Sequence, residues 1–386
     1  MLRYLNAGES HGQLLMAVLE GVPAGLPLTA EEVNHDLARR QGGYGRGGRM
    51  RIEKDQIEFS CGVRNGKTLG NPLGLIVRNK DWENWKDIMA VEPGPPSTER
   101  VVTRPRPGHA DLVGAIKYGH RDIRNVLEKA SARETAIRVA VGAVGKALLA
   151  QFGMQVVSYT MEIGRVVAPA PNDPLLAFAK AEESQVRCWD QAAGEKMIEE
   201  IRLAKHKGDS LGGVFEVVVL NPPIGLGSYT QWDRRLSARL AMAAMSIQAM
   251  KGVEIGMGFE SARRFGSEVH DDIYPNESRT GFLRKTNNAG GLEGGITNGQ
   301  PIVLRVAMKP IATLYKPKHS VDILTKEPFE ATVERSDICT VPAAGVVGEA
   351  VIAYEIANAM MEKFGGDSLE EMKRNFDAYQ DYVKSF

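Results

Sequence analysis

Residues 343–366, AAGVVGEAVIAYEIANAMMEKFGG, decide how the chain is built. A helix starting near Ala343 carries Val346, Val351, Ile352, Ile356 and Met360. It stops at Gly365-Gly366, because glycine accepts the left-handed backbone that ends helices. Alanine, valine and methionine occupy most of its faces, so no polar stripe is left to meet water, and the segment is expected to pass through a core. Two more stretches share this character. One opens with the capping-box spacing Ser131-Ala132-Arg133-Glu134 and continues through Ala136, Val139, Val141, Val144 and Leu148 to Gly153. The other runs from about Asp233 through Leu236, Leu240, Met242, Met245 and Ile247 to Lys251, stopped by Gly252. A last helix, with Ser368 and Glu371 spaced as a capping box, puts Leu369, Met372, Phe376 and Tyr379 on one stripe.

Strand-like segments surround these helices at 73–77, 154–161, 214–220, 302–308 and 331–334. Strands and helices do not alternate as a doubly wound sheet requires. The pattern predicts an α+β fold, with central helices sandwiched between largely antiparallel β-sheets. Residues 92–97, EPGPPS, are the one loop that reads as a boundary, and they are too short for a flexible tether. A single domain over residues 1–386 is expected.

Lysine plus arginine equals aspartate plus glutamate at 48 each, so no global field selects polyanions or membranes. An anion site must come from local clustering. Cys61, Cys188 and Cys339 are odd in number and far apart, which argues against a disulfide framework or a zinc site and suits a reducing cytosol. The apolar run 14–19 is too short for a signal sequence, and no stretch approaches the roughly 18 apolar residues of a membrane helix. The expectation is a cytoplasmic protein with no metal, no membrane partner and no nucleic-acid partner.

Four regions concentrate chemistry. Gly8-Glu9-Ser10-His11-Gly12 places a histidine among small residues, either for acid–base work or as a satisfied turn residue. After a helix capped by Thr29 and Glu32, the run RRQGGYGRGGRM at 39–50 sets Arg39, Arg40, Arg46 and Arg49 around glycines. The backbone there can approach a ligand closely while guanidinium groups fork around phosphate or carboxylate. The same run resembles RNA-binding Gly-Arg segments, but it occurs once, the chain has no net positive charge, and Glu53 and Asp55 follow directly. In Arg104-Pro105-Arg106-Pro107-Gly108-His109-Ala110-Asp111, prolines stiffen a loop holding Arg106 and His109. It leads to the buried helix start at Ser131, where unpaired amides attract an anion. Arg133 is unfavourable in that first turn unless it reaches an anion. The fourth region joins the Gly-rich turn at 294–299, Lys309-Pro310-Ile311-Ala312-Thr313, and Asp337, which is either a base or a cap.

Seven strings occur in order: AGESHG at 7–12, RRQGGYGRGGRM at 39–50, RPGHADL at 106–112, SARET at 131–135, TNNAGGLEGGITNGQP at 286–301, KPIATLYKP at 309–317 and ERSD at 334–337. Together they closely resemble the chorismate synthase family over essentially the whole chain. Departures are small: Ala130 where relatives often have serine, Gln248 where many have asparagine, and Ala312 in place of a second proline.

The resemblance implies elimination of phosphate from 5-enolpyruvylshikimate 3-phosphate, giving chorismate without net redox change. It implies reduced FMN as cofactor, NADPH as a candidate reductant, and a homotetramer. Flavin contacts would fall on Ser131, Ala132, Arg133, Gln248, Ala249, Gly294, Lys309, Pro310, Ile311, Ala312, Thr313 and Arg335. Substrate or NADPH would meet Arg40, Arg46, Arg49 and Arg106, with His11 and Arg133 also at the substrate. His11 would protonate the departing phosphate, His109 would protonate or hydrogen-bond the reduced flavin, and Asp337 would help the flavin N5 take a hydrogen. A flavin reductase and an RNA-binding module are the competing classes, and neither accounts for all seven strings.

Overall fold

The computed structural model describes residues 1–47, 54–94, 99–276, 281–334 and 336–386. Arg49 and Arg335 lie outside the described residues. Two antiparallel sheets enclose the central helices. The first sheet has the order Arg3–Ala7, Leu14–Glu20, Leu73–Arg78, Ile57–Cys61. The second has the order Met250–Ile255, Ile302–Met308, Gly213–Leu220, Gln155–Ile163, Val166–Val167. Strict alternation makes these strands: along Leu14–Glu20, Leu15, Ala17 and Leu19 are buried while Met16 and Val18 face outward.

Between the sheets run the helices Thr135–Ala150 and Val341–Phe364. Nearly every residue of the second is buried, as its apolar faces predict. Pro342 sits in its first turn, and Gly365, at φ +57°, ends it. Glycine sets how closely the layers approach. A Cβ on Gly142 would fall 2.4 Å from the Ala350 backbone, so only hydrogen fits at that helix crossing. A Cβ on Gly348 would meet the Phe215 ring of the second sheet at 2.6 Å. By length and composition Val341–Phe364 could cross a membrane, contrary to the sequence expectation, but 94% of its apolar window is buried inside the protein.

Four local readings change. Ser131 caps a short 3-10 turn, Ala132–Glu134, rather than a capping box, and the Glu134 carboxylate instead accepts from Asn6 (2.6 Å) and Gln248 (2.9 Å). The second apolar helix is only Leu236–Met245. Ser246 turns its hydroxyl back to the Ala243 carbonyl, Arg138 donates to Ser246, and Ala249 adopts φ +70°. Residues 250–255 then pair as an edge strand. At the last helix Ser368 accepts from the Glu371 amide, but Glu371 returns to Asp367, so the box is half formed. Finally, 331–334 is not a strand, because Thr332 bonds the carbonyl of Arg104 instead of a neighbouring strand.

Candidate active site

A cavity of about 470 Å³ opens where both central helices begin. Thr135 from one and Ala343, Ala344 and Val347 from the other line it. Both helix N-termini therefore turn the positive ends of their dipoles toward the same space. Leu127, Ile247, Met250, Met308 and Ile311 complete an apolar floor. Loops from distant parts of the chain supply the polar rim.

Two histidines enter this rim on carboxylate supports. His11 Nδ1 lies 2.9 Å from Glu128 Oε1, and the His11 amide donates to Glu128 Oε2 at 2.8 Å. Its ring stacks on Trp85, with centroids 3.8 Å apart. Burial raises the Glu128 pKa, but the bonds and charge of His11, with Arg124, outweigh it, and the net direction is downward. His109 Nδ1 lies 2.5 Å from Asp111 Oδ1. Arg106 donates to both oxygens of Asp111, at 2.8 and 3.1 Å, and to Thr313 at 2.9 Å. Asp111 is likewise pushed up by burial and held well below the usual range by His109 and Arg106. In both pairs an ionised carboxylate takes the Nδ1 side, so the other ring nitrogen is the one left for proton exchange.

Arg40, Arg46 and Arg133 also line the cavity. Arg133 Nη1 contacts both oxygens of Asp55 at 2.7 Å, and its Nε donates to Asn79 at 2.9 Å. Arg40 donates to Thr135 at 2.9 Å and to the Ala132 carbonyl at 3.0 Å, standing 3.5 Å from the same Asp55. Burial pushes the Arg40 pKa down and Asp55 pulls it up, but Arg133 and Arg46 push it down again. Arg46 Nε lies 3.5 Å from Asp337 Oδ2, and Asp337 Oδ1 accepts from the Gly47 amide. Among the described residues, Asp55 and Asp337 are carboxylates that these three guanidinium groups contact. Lys309, its pKa lowered by burial and by Lys251, bridges to the Gly108 carbonyl at 2.9 Å. Among the described residues no cluster of histidine, cysteine, aspartate and glutamate is placed to hold a metal ion.

The sequence profile of the chorismate synthase family matches residues 2–361. A chorismate synthase of Geobacter metallireducens is 60% identical over 395 aligned positions, covering 100% of both chains. One from Aquifex aeolicus is 58% identical, covering 100% of this chain and 99% of that one. The chain belongs to the chorismate synthase family. A crystal structure of chorismate synthase superposes with a TM-score of 0.81 at 48% identity, covering 100% of this chain and 99% of that one. The two-sheet sandwich over central helices is therefore the fold of a solved chorismate synthase.

Most residues that the family resemblance points to meet in this one cavity: His11, Arg40, Arg46, Arg106, His109, Ser131, Ala132, Arg133, Gln248, Ala249, Lys309, Ile311, Ala312, Thr313 and Asp337 all line it. Two do not. Gly294 sits in the exposed turn between Leu292–Glu293 and Ile296–Thr297, and Pro310 is exposed between two lining neighbours. Arg39 also leaves the loop it was grouped with. Its guanidinium is buried against Glu349, Glu182 and Asp36, because consecutive helical residues point about 100° apart. The anion expected beside Arg133 includes one from the protein itself, Asp55. Sequence reading missed Glu128, Trp85 and Asp111 as supports of the histidines. Asp111, two residues from His109, was the only one with a local signal.

Proposed function

We propose that this chorismate synthase family member converts 5-enolpyruvylshikimate 3-phosphate to chorismate and phosphate, with reduced FMN bound in the cavity of the two helix N-termini. The observation that carries this reading is the convergence of Arg40, Arg46 and Arg133 over an apolar floor, where two core helices begin. Such a site suits a flat aromatic cofactor with a phosphate tail beside a substrate with one phosphate and two carboxylates. Gln248 Oε1 supports the fit: it is buried on the cavity wall without a hydrogen bond from the described residues, ready to accept from a flavin N–H. Ser131, Ala132, Lys309 and Thr313 would hold the cofactor from the same wall. When bound, reduced FMN supplies electron density for C–O cleavage and recovers it, so no net oxidation occurs.

In this reading the phosphate leaves carbon 3 with the bonding pair, and a hydrogen is lost from carbon 6. The arginines bind and orient the anionic groups. His11 presents its ring nitrogen to the departing phosphate and supplies a proton, while Glu128 stabilises the charged ring. His109, held by Asp111, keeps a second proton donor at the cavity, and Asp337 is the acceptor. The floor of Ile247, Met250, Met308 and Val347 excludes water from the reacting atoms. Arg49, Arg335, Gly294 and Pro310 belong to this proposal through the family resemblance alone. So do NADPH as reductant and a cytoplasmic location. A homotetramer is supported by the exposed apolar face of the first sheet, where Leu5 pairs with Val18 beside Met16, and light scattering tests it.

Anaerobic incubation of the protein with substrate and photoreduced FMN, without NADPH, is expected to give chorismate and phosphate. Repeating it with oxidised FMN and NADPH shows whether the chain reduces its own flavin. Absence of chorismate in both arms would overturn the reading.

A further inference from the structure

The helix Arg124–Ala130 lies behind His11 and carries a carboxylate and a guanidinium four residues apart on one face. Glu128 is 2% exposed and spends both oxygens nearby: on His11 Nδ1, on the His11 amide, and on Arg124 Nη1 at 3.2 Å. Its backbone carbonyl also accepts from the Ser10 amide at 2.9 Å. Arg124 in turn donates to the Arg100 carbonyl at 2.7 Å and to Glu334 Oε1 at 3.1 Å. Arg100 and Arg124 also stand over Trp85, the ring on which His11 stacks, at 4.2 and 5.1 Å. The imidazole is thus fixed in plane by Trp85 and about its axis by Glu128. The same arginine ties this support to the segment that leads into Asp337.

We propose that Glu128 is the positioning residue for His11: its carboxylate holds the proton on Nδ1 and aims the other ring nitrogen into the cavity. Arg124 keeps that carboxylate ionised and in place, and through Glu334 sets the distance between the His11 loop and the Asp337 loop. An unanchored imidazole in water favours the opposite tautomer and turns about its χ angles, so the buried carboxylate decides which nitrogen exchanges protons. This deepens the reading in which His11 protonates the leaving phosphate, and rests on it.

The test combines kinetics with ring-nitrogen NMR on the full chain. The chain has seven histidines, and His11→Asn identifies the His11 signals by their loss. In the parent protein neutral His11 is expected to carry its proton on Nδ1. Glu128→Gln is expected to return it toward the Nε2-protonated form and to lower kcat about tenfold or more, at most by the roughly 10²–10⁴-fold that a general acid contributes. KM and FMN affinity should stay within about twofold of the parent, and Glu128→Asp, which keeps the charge, should recover part of the loss. Adding Glu128→Gln to His11→Ala should cost little more, because the first change acts through the second residue. An unchanged tautomer in Glu128→Gln, or an undiminished further loss in the His11→Ala background, would overturn the proposal. If His11→Ala leaves kcat unchanged, the acid role of His11 fails, and the NMR arm alone still decides whether Glu128 sets the tautomer.

Discussion

The Asp337 carboxylate accepts a hydrogen bond from the Gly47 amide at 2.5 Å, joining the arginine loop near the start of the chain to the segment that enters the last core helix. With Arg46 Nε 3.5 Å from its other oxygen, Asp337 is held at the cavity between the Gly47 amide and the Arg46 guanidinium. It does not cap the helix Val341–Phe364, whose N-cap is Thr340.

Asp337→Asn keeps the shape and removes the basicity. Turnover is expected to fall by roughly 10²–10⁴-fold, the usual contribution of a general base, with FMN and substrate affinity preserved by the arginines. Titration of FMN fluorescence alongside steady-state rates checks this. Lost flavin binding with unchanged turnover of the bound complex would make Asp337 a structural clasp on the arginine loop.

Arg40→Met separates binding from folding. Arg40 is buried among cations, and Asp55 retains both contacts to Arg133 without it. The unliganded protein is therefore expected to keep its stability to within about 1 kcal/mol. Losing a charge-assisted contact should weaken substrate binding by about 1.5–3 kcal/mol, or roughly 10–100-fold. Denaturant melts and substrate titrations measure the two effects independently.

How far this was legible follows from the physics of each element. Residues 343–366 announce a core helix because no face of it is polar. Gly-rich and Pro-stiffened loops single out Arg40, Arg46 and Arg106, which line one cavity, because such loops hold guanidinium groups close to a backbone that can approach a ligand. The strand Arg3–Ala7 was unreadable, since Leu5 faces outward and the alternation carries no burial signal. Arg39 and Arg40 look equivalent as neighbours, yet the helix sends one to Glu349 and the other to Thr135 and Asp55. Glu128 stands 117 residues from His11 and no spacing rule joins them. Most residues expected at the ligand lie in short local strings, whereas their supports come from whatever the fold brings behind them.

Glu349 predicts the acid behaviour of the core. It is fully buried in the long helix, bonded to Arg39, Ser158 and Lys146 and paired with Arg187. Burial raises its pKa, but Lys146, Arg39 and Arg187 draw it well below the usual carboxylate range, and Asp36 beside it is also lowered. Carboxylates with depressed folded pKa values contribute stability above their unfolded value, near 4.5 for Glu349, and lose it as pH falls toward the folded one. Glu349→Gln removes the buried carboxylate that Arg39, Lys146 and Arg187 share, leaving them Asp36 and Glu182 alone, and is expected to cost up to about 3–5 kcal/mol at pH 7. The gap to the parent should narrow below about pH 4, as thermal melts at both pH values would record.

Gly142→Ala tests the helix crossing. The added methyl would overlap the Ala350 backbone, and the two core helices cannot separate without opening both sheets. A loss of about 1–3 kcal/mol is expected, with secondary structure retained. A denaturation midpoint equal to the parent's would show that the layers are looser than the structure describes.

The central claim, elimination at this cavity with the flavin regaining its electrons, is tested most directly by stoichiometry under strict anaerobiosis. Substrate in large excess over reduced FMN is expected to give equal amounts of phosphate and chorismate over many turnovers, with the flavin spectrum still that of the reduced form at the end. Oxidation of one flavin for each phosphate released would contradict it.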